Sequence, residues 1–165
     1  MPDTTPPPGP SAPFELARRG DAEALARLLD AGLAPDLRDA KGFTLLLLAA
    51  YNDQPDTTAL LLSRGADPNL PDAAGNTPLM GMAFKGHLDR ARQLLDSGAD
   101  PNRRSAAGST ALHFAAMFGK AEFAQLLIEH GAQTRAQDNR NMTPADLAQA
   151  HGHAALAESL RAAAA

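Results

Sequence analysis

The chain has no cysteine and no tryptophan, and only one tyrosine and six phenylalanines among its 165 residues. Without thiols it forms no disulfide and no thiolate metal site, and it has no cysteine nucleophile. Aromatics make up 4% of the chain and hydrophobic residues 44%, so leucine and alanine must fill most of the core. No stretch approaches the ~18 consecutive apolar residues of a membrane span. The opening MPDTTPPPGPSAP has no basic n-region and no apolar h-region, so a secretion signal is not expected and the cytoplasm is the expected location. Neither sign of charge dominates: 15 basic residues face 19 acidic ones, for a net charge of −4. That balance gives no electrostatic ground for nucleic-acid binding. A nucleophile elbow, a P-loop and a dinucleotide fingerprint are also missing.

What the chain does have is a repeat. The pentapeptide GADPN occurs at Gly65–Asn69 and again at Gly98–Asn102, 33 residues later. At that offset Gly42, Gly75 and Gly108 fall in register, with Gly9 before them and Asn141 after. Thr44, Thr77, Thr110 and Thr143 follow two positions on, with Ser11 at the N-terminal equivalent. The pairs Leu28-Leu29, Leu61-Leu62, Leu94-Leu95 and Leu127-Ile128 keep step, and Gly32, Gly65, Gly98 and Gly131 close each unit. Fixed-period self-similarity of this kind marks a stacked array.

Each column has a physical reason. The DAKG, DAAG and SAAG segments are turn signals, because glycine adopts a positive φ without steric cost and asparagine tolerates it next best. The threonines suit helix N-caps, and Pro78 and Pro144 suit the first helical position. Short helices such as TPLMGMAFKG and TALHFAAMFG then end at Gly86 and Gly119. A second helix follows, as in HLDRARQLLDSG, where Leu88, Ala91, Leu94 and Leu95 share one face and Asp89, Arg92 and Asp96 face water. Asp-Pro in GADPN forces an extended exit toward the next turn. Such short helices are marginal alone and need neighbours to cover their apolar stripes.

At these residues the chain resembles the ankyrin repeat family, whose pattern is a turn with Asp and Gly, TPLH, a small-residue helix, Gly, a leucine-rich helix and GAD-x-N. The resemblance runs over 11–161 and implies an all-α solenoid of stacked helix–turn–helix units with hairpin-like loops. The expected units are 11–38, 39–71, 72–104, 105–137 and a truncated 138–161, after a disordered proline-rich leader at 1–10 and before an alanine tail at 162–165. The first unit lacks a clear hairpin and is expected to act as a cap. In the last unit Arg161 replaces the second apolar member of the leucine pair, which suits an outer face.

The departures from that pattern are specific. Repeat 2 lacks the family's proline, Asp53 stands for the helix-ending glycine, and Pro55 is expected in the first turn of the second helix. The family's histidine occurs only as His113; Leu47, Met80 and Asp146 fill its column, so loop-bracing hydrogen bonds are expected at His113 alone. Gly81 lies inside a short helix, where it weakens repeat 3 unless it permits close packing.

No constellation points to catalysis. His113 falls in the structural TPLH column, His87 opens a second helix, and His130 lies where it can meet a helix C-terminus. His151 and His153 lack the i, i+4 spacing of a helical zinc pair. Asp56, Asp89, Asp96, Glu122 and Glu129 are spread along the second helices and read as a solvated face. No enzyme activity, cofactor or metal is expected.

The resemblance further implies that partners dock on the hairpin tips and on the concave face of the first helices. The two positions before the helix-ending glycine hold Arg18-Arg19, Tyr51-Asn52, Phe84-Lys85, Met117-Phe118 and Ala150-His151. At the tips, Phe43 is the large apolar residue beside Asn76, Ser109 and Met142. Tyr51, Phe84, Phe118, Met117 and Phe43 thus put bulky groups where packing needs none, and clustered exposed aromatics mark interfaces. Arg38, Lys41, Arg103, Arg104 and Arg140 cluster near the tips, which would suit some acidic surface on a partner. The expected function is a non-enzymatic protein-interaction module, monomeric, with Tyr51, Asn52, Phe84, Lys85, Met117, Phe118, Phe43, Arg18, Arg19 and His151 as partner-binding residues. The alternative is a structural homodimer pairing through the same stripe. Neither nucleic acid nor membrane is an expected partner. The alanine-, arginine- and proline-rich composition points to a bacterial source.

Overall fold

A computed structural model describes Gly9 and residues 11–165. Apart from Gly9, the leader expected over 1–10 lies outside the described residues. These residues form helices paired along the chain: α1 (Ala12–Arg19) with α2 (Ala22–Asp30), α3 (Leu45–Tyr51) with α4 (Pro55–Ser63), and α5 (Pro78–Lys85) with α6 (Leu88–Asp96). Then come α7 (Ala111–Met117) with α8 (Ala121–Glu129) and α9 (Pro144–Ala150) with α10 (Ala154–Ala163). The fold is all-helical among the described residues, with an isolated antiparallel bridge between Arg38 and Thr44 at the first hairpin. The first helices pack successively, α1 on α3, α3 on α5, α5 on α7 and α7 on α9; α2, α4, α6 and α8 do the same in a second row.

Side-chain size explains the two rows. Ala17, Ala50, Ala83 and Ala116 occupy one column and are fully buried, so the first helices approach closely. Leu61, Leu94 and Leu127, the leading members of the leucine pairs, are also fully buried, while their followers Leu62 and Ile128 are half-buried. Arg161 is exposed at the terminal face. The carboxylates of the second helices point outward as the periodicity requires.

The caps follow the threonine column. Thr44 Oγ1 accepts from the Leu47 amide at 3.1 Å, and Thr143 Oγ1 from that of Asp146 at 3.2 Å. Ser11 departs from the column: it sits in helical conformation and makes no side-chain cap. Pro55 begins α4 at the first position, where its missing N–H costs nothing. Asp53 adopts φ 55° in place of the helix-ending glycine, and Asn141 adopts φ 60° in the turn-glycine column. At Gly75 the demand is stricter: a Cβ there would stand 2.7 Å from the Ala106 amide of the next hairpin.

The asparagine of GADPN also has a task. Asn69 donates to the Gly98 carbonyl at 3.0 Å and accepts from the Asp100 amide at 2.7 Å. Asn102 repeats the pattern one unit on, with the Gly131 carbonyl at 3.0 Å and the Gln133 amide at 2.8 Å. Each copy therefore staples its own unit to the following one. The hairpins are built around Asp39, Asp72 and Asp138, each of which accepts two backbone amides of its own turn.

Candidate functional site

The row of first helices carries an open cleft of about 540 Å³ over α3, α5 and α7. Leu47, Leu48, Met80, Gly81 and Phe114 form its floor, with Tyr51, Phe84 and Phe118 around them. Phe43 and Asn76 close the hairpin end, and Arg18 and Asn52 stand at the helix-end side. The lining is predominantly apolar with a few polar groups, as binding clefts generally are.

Phe84 is 48% exposed and Phe118 37% exposed, the large hydrophobics most open to solvent among the described residues. Their rings meet edge to face, with centroids 5.0 Å apart and planes at 78°. Each limits the other's rotamers, so two apolar faces are held ready at little entropic cost. Tyr51, Phe43 and Met117, expected to be exposed, are half-buried instead. Tyr51 and Phe43 pack against the core while still lining the cleft, and the Tyr51 ring is covered by Lys85, whose Nζ lies 4.7 Å from its centroid.

The remaining expected site residues are more scattered. Arg18 lines the cleft but is held by Glu15 and, at 3.6 Å, by Asp39. Arg19 is exposed and lies 3.9 Å from Asp21. Asn52 donates to the Leu48 carbonyl at 2.8 Å. Arg19, Lys85, Met117 and His151 do not line the cleft; the Met117 carbonyl pairs with His153 Nε2 at 3.2 Å, and His151 is exposed. Two of the tip cations are engaged in bracing: Arg38 donates to the Pro71 carbonyl at 2.7 Å, and Arg104 donates to that of Gln137.

Sequence reasoning missed the floor. Phe114 shares its column with Leu48 and Gly81, and that alternation of large, absent and large side chains is the signal that could have found it. It also missed Arg90, a charged residue in the column of buried Phe123 and Leu156. Arg90 is 9% exposed, its Nε lies 3.3 Å from Asp53 Oδ1, and neither Nε nor Nη1 has a hydrogen-bond partner among the described residues.

His113 is fully buried. Its Nδ1 accepts from the Thr110 amide at 3.1 Å, which leaves Nε2 to donate to the Met142 carbonyl of the next hairpin at 3.1 Å. Burial pushes its pKa below the ordinary 6.5, against the opposing pull of the Met142 carbonyl, so the ring is a neutral brace. In the same column Met80 Sδ accepts from the Thr77 amide at 3.4 Å and Asp146 Oδ2 from that of Thr143 at 3.0 Å. The local half of the bracing thus survives without histidine, and the bond to the next hairpin is made by His113. The hydroxyl and amide of Thr143 hold the Asp146 carboxyl below its usual range.

Among the described residues no cluster of three or more histidines and carboxylates is arranged to hold a metal, and no helix is long and apolar enough to cross a membrane.

A family model for ankyrin repeats in three copies matches residues 14–105 and, again, 79–165. A Pseudomonas aeruginosa protein named as an ankyrin repeat protein is 50% identical over 44 residues, which cover 27% of this chain and 26% of that relative. The chain therefore spans about a quarter of the length of the relative it matches. From its periodic columns, its paired helices and the match over nearly its whole described length, the chain belongs to the ankyrin repeat family.

Proposed function

We propose that this chain is a protein-interaction module that holds a partner protein against the concave row of first helices and the hairpin tips. Ankyrin repeats are generally non-enzymatic protein–protein interaction modules. The observation that carries the proposal is the open apolar cleft, with Phe84 and Phe118 standing at its edge in mutual contact. An isolated exposed aromatic is ordinary, but two in contact beside a cleft form the centre of an anchoring patch. Tyr51, Asn52, Phe43, Arg18, Arg19, Lys85, Met117 and His151 extend this patch along the row and its rim. The chain acts as a monomer without catalysis or cofactor, in the cytoplasm of a bacterial cell; the bacterial relative supports that source.

The test is partner capture by wild type and by Phe84→Glu and Phe118→Glu, with helical content measured beside it. Both substitutions lie at exposed positions and should leave the fold intact. Each should weaken a captured partner by about 2 kcal/mol, roughly thirtyfold in Kd. Partners retained equally by both variants would refute the proposal.

A further inference from the structure

Gly81 departs from its neighbours along the first-helix row. Its column carries Leu48 one repeat earlier and Phe114 one repeat later, and all three positions line the cleft. The floor therefore lacks one leucine- to phenylalanine-sized side chain at its middle. Gly81 lies within α5 and is not among the positive-φ glycines, so backbone conformation does not demand it. A Cβ built there would meet the Tyr51 ring at 3.4 Å, an ordinary contact, and nothing else within 4 Å. Glycine weakens a helix interior. Here it makes the cleft deeper, with the Tyr51 ring as one wall.

That wall is also charged. Lys85 lies over the Tyr51 ring, and among the described residues no carboxylate stands within ion-pair distance of it. Arg18, at the same side, is answered by Glu15 and Asp39. At this helix-end side the unpaired charge is therefore positive, while Asp72, at the hairpin end of the same cleft, is a carboxylate with no ion-pair partner among the described residues.

On the reading that the cleft holds a protein partner, we propose that Gly81 forms a socket for one bulky apolar side chain and that Lys85 meets a carboxylate beside it. The occupant is a segment of the partner with a single leucine- to phenylalanine-sized anchor and a carboxylate on its Lys85 side. An anchor of that size replaces the side chain that Gly81 omits. The neighbouring carboxylate gives Lys85 the partner it lacks, at a rim where the cation is already oriented by the tyrosine face.

The experiment is selection of random linear peptides displayed against the full chain. Enriched peptides should share one leucine, methionine or phenylalanine flanked by aspartate or glutamate. Gly81→Leu should weaken them about tenfold or more, as the loss of a central anchor does. Lys85→Glu, at an exposed position, should also weaken them and should shift a fresh selection toward basic flanks. If Gly81→Leu fails to fold, Gly81→Ala, whose methyl makes an ordinary contact with Tyr51, and Lys85→Glu, at an exposed position, carry the test, and each should still weaken the enriched peptides. Enrichment of nothing, of peptides without an apolar anchor, or of basic flanks on wild type would overturn the proposal. Peptides lost on Phe118→Glu but indifferent to Gly81→Leu and Lys85→Glu would keep the cleft as the binding surface and remove only the socket. Indifference to all three would remove both.

Discussion

Replacing Arg90 by phenylalanine and Asp53 by glycine together should stabilise the array. Arg90 is 9% exposed, with Nε and Nη1 unpaired, and its partner Asp53 is held at φ 55°. Leaving buried N–H groups without acceptors costs about 1–3 kcal/mol. A non-glycine residue in the left-handed region costs about 1–2 kcal/mol, less for aspartate, which tolerates it better than most. Against these stands the ion pair at 3.3 Å, whose Asp53 side chain is 58% exposed. Solvent screening limits that pair to about 1 kcal/mol or less. The double substitution recreates the arrangement one repeat later, where Gly86 and Phe123 occupy the same two columns and Phe123 is 2% exposed. The net expectation is a gain of about 1–3 kcal/mol, mostly from relieving the buried unpaired N–H groups of Arg90. Asp53→Asn alone keeps the backbone preference but strips Arg90 of its counter-charge, and should lose about 1 kcal/mol. Reversible urea unfolding followed by circular dichroism, run as a double-mutant cycle, reads both numbers. If the double variant unfolds at lower urea than wild type, the Asp53–Arg90 pair is a net stabiliser and the reasoning fails.

Other outcomes are equally specific. Gly81→Ala should add about 1 kcal/mol, because the new methyl fits beside Tyr51 in a helix that now carries glycine, and thermal melting should show the rise. A drop in Tm of several degrees would mean that Tyr51 needs the bare glycine face. Asn69→Ala removes the staple to Gly98 and Asp100 and should cost about 1 kcal/mol at this half-exposed site, with faster amide exchange at Asp100 as the local readout. The lowered pKa of His113 makes the unfolded chain bind more protons at moderately acid pH, so its contribution is complete above 6.5 and is lost as pH falls from there through the folded value. His113→Gln should flatten that part of the stability–pH curve, measured by urea midpoints. Asp138 and Asp146 act lower: their folded pKa values lie below 3.8, so their contribution holds above that value and is lost as pH falls through the folded ones.

The array was legible because its columns encode local physics. Turn glycines, capping threonines and leucine pairs each dictate a conformation regardless of neighbours, and their spacing fixes the stacking. Asp53 and Asn141 could be assigned to glycine columns because both residue types tolerate positive φ. The site was legible only in part. Column position correctly put Phe84 and Phe118 outside the core, but position alone does not tell how a ring turns. Tyr51 stands against one side of Gly81 and Phe43 packs against the core, so both ended half-buried. The cleft floor was hidden for a related reason: Gly81 reads locally as a weak helix residue, and its consequence shows only when Leu48 and Phe114 flank it. Arg90 was hidden because its helix face reads as solvated until Asp53 is placed beside it.

The most direct measurement is hydrogen–deuterium exchange of this chain with and without its captured partner. Slowed exchange should concentrate in the first helices around Tyr51, Phe84 and Phe118 and in the hairpin carrying Phe43. Protection confined to the outward faces of α4, α6 and α8, with the first helices unchanged, would contradict a partner held in the cleft.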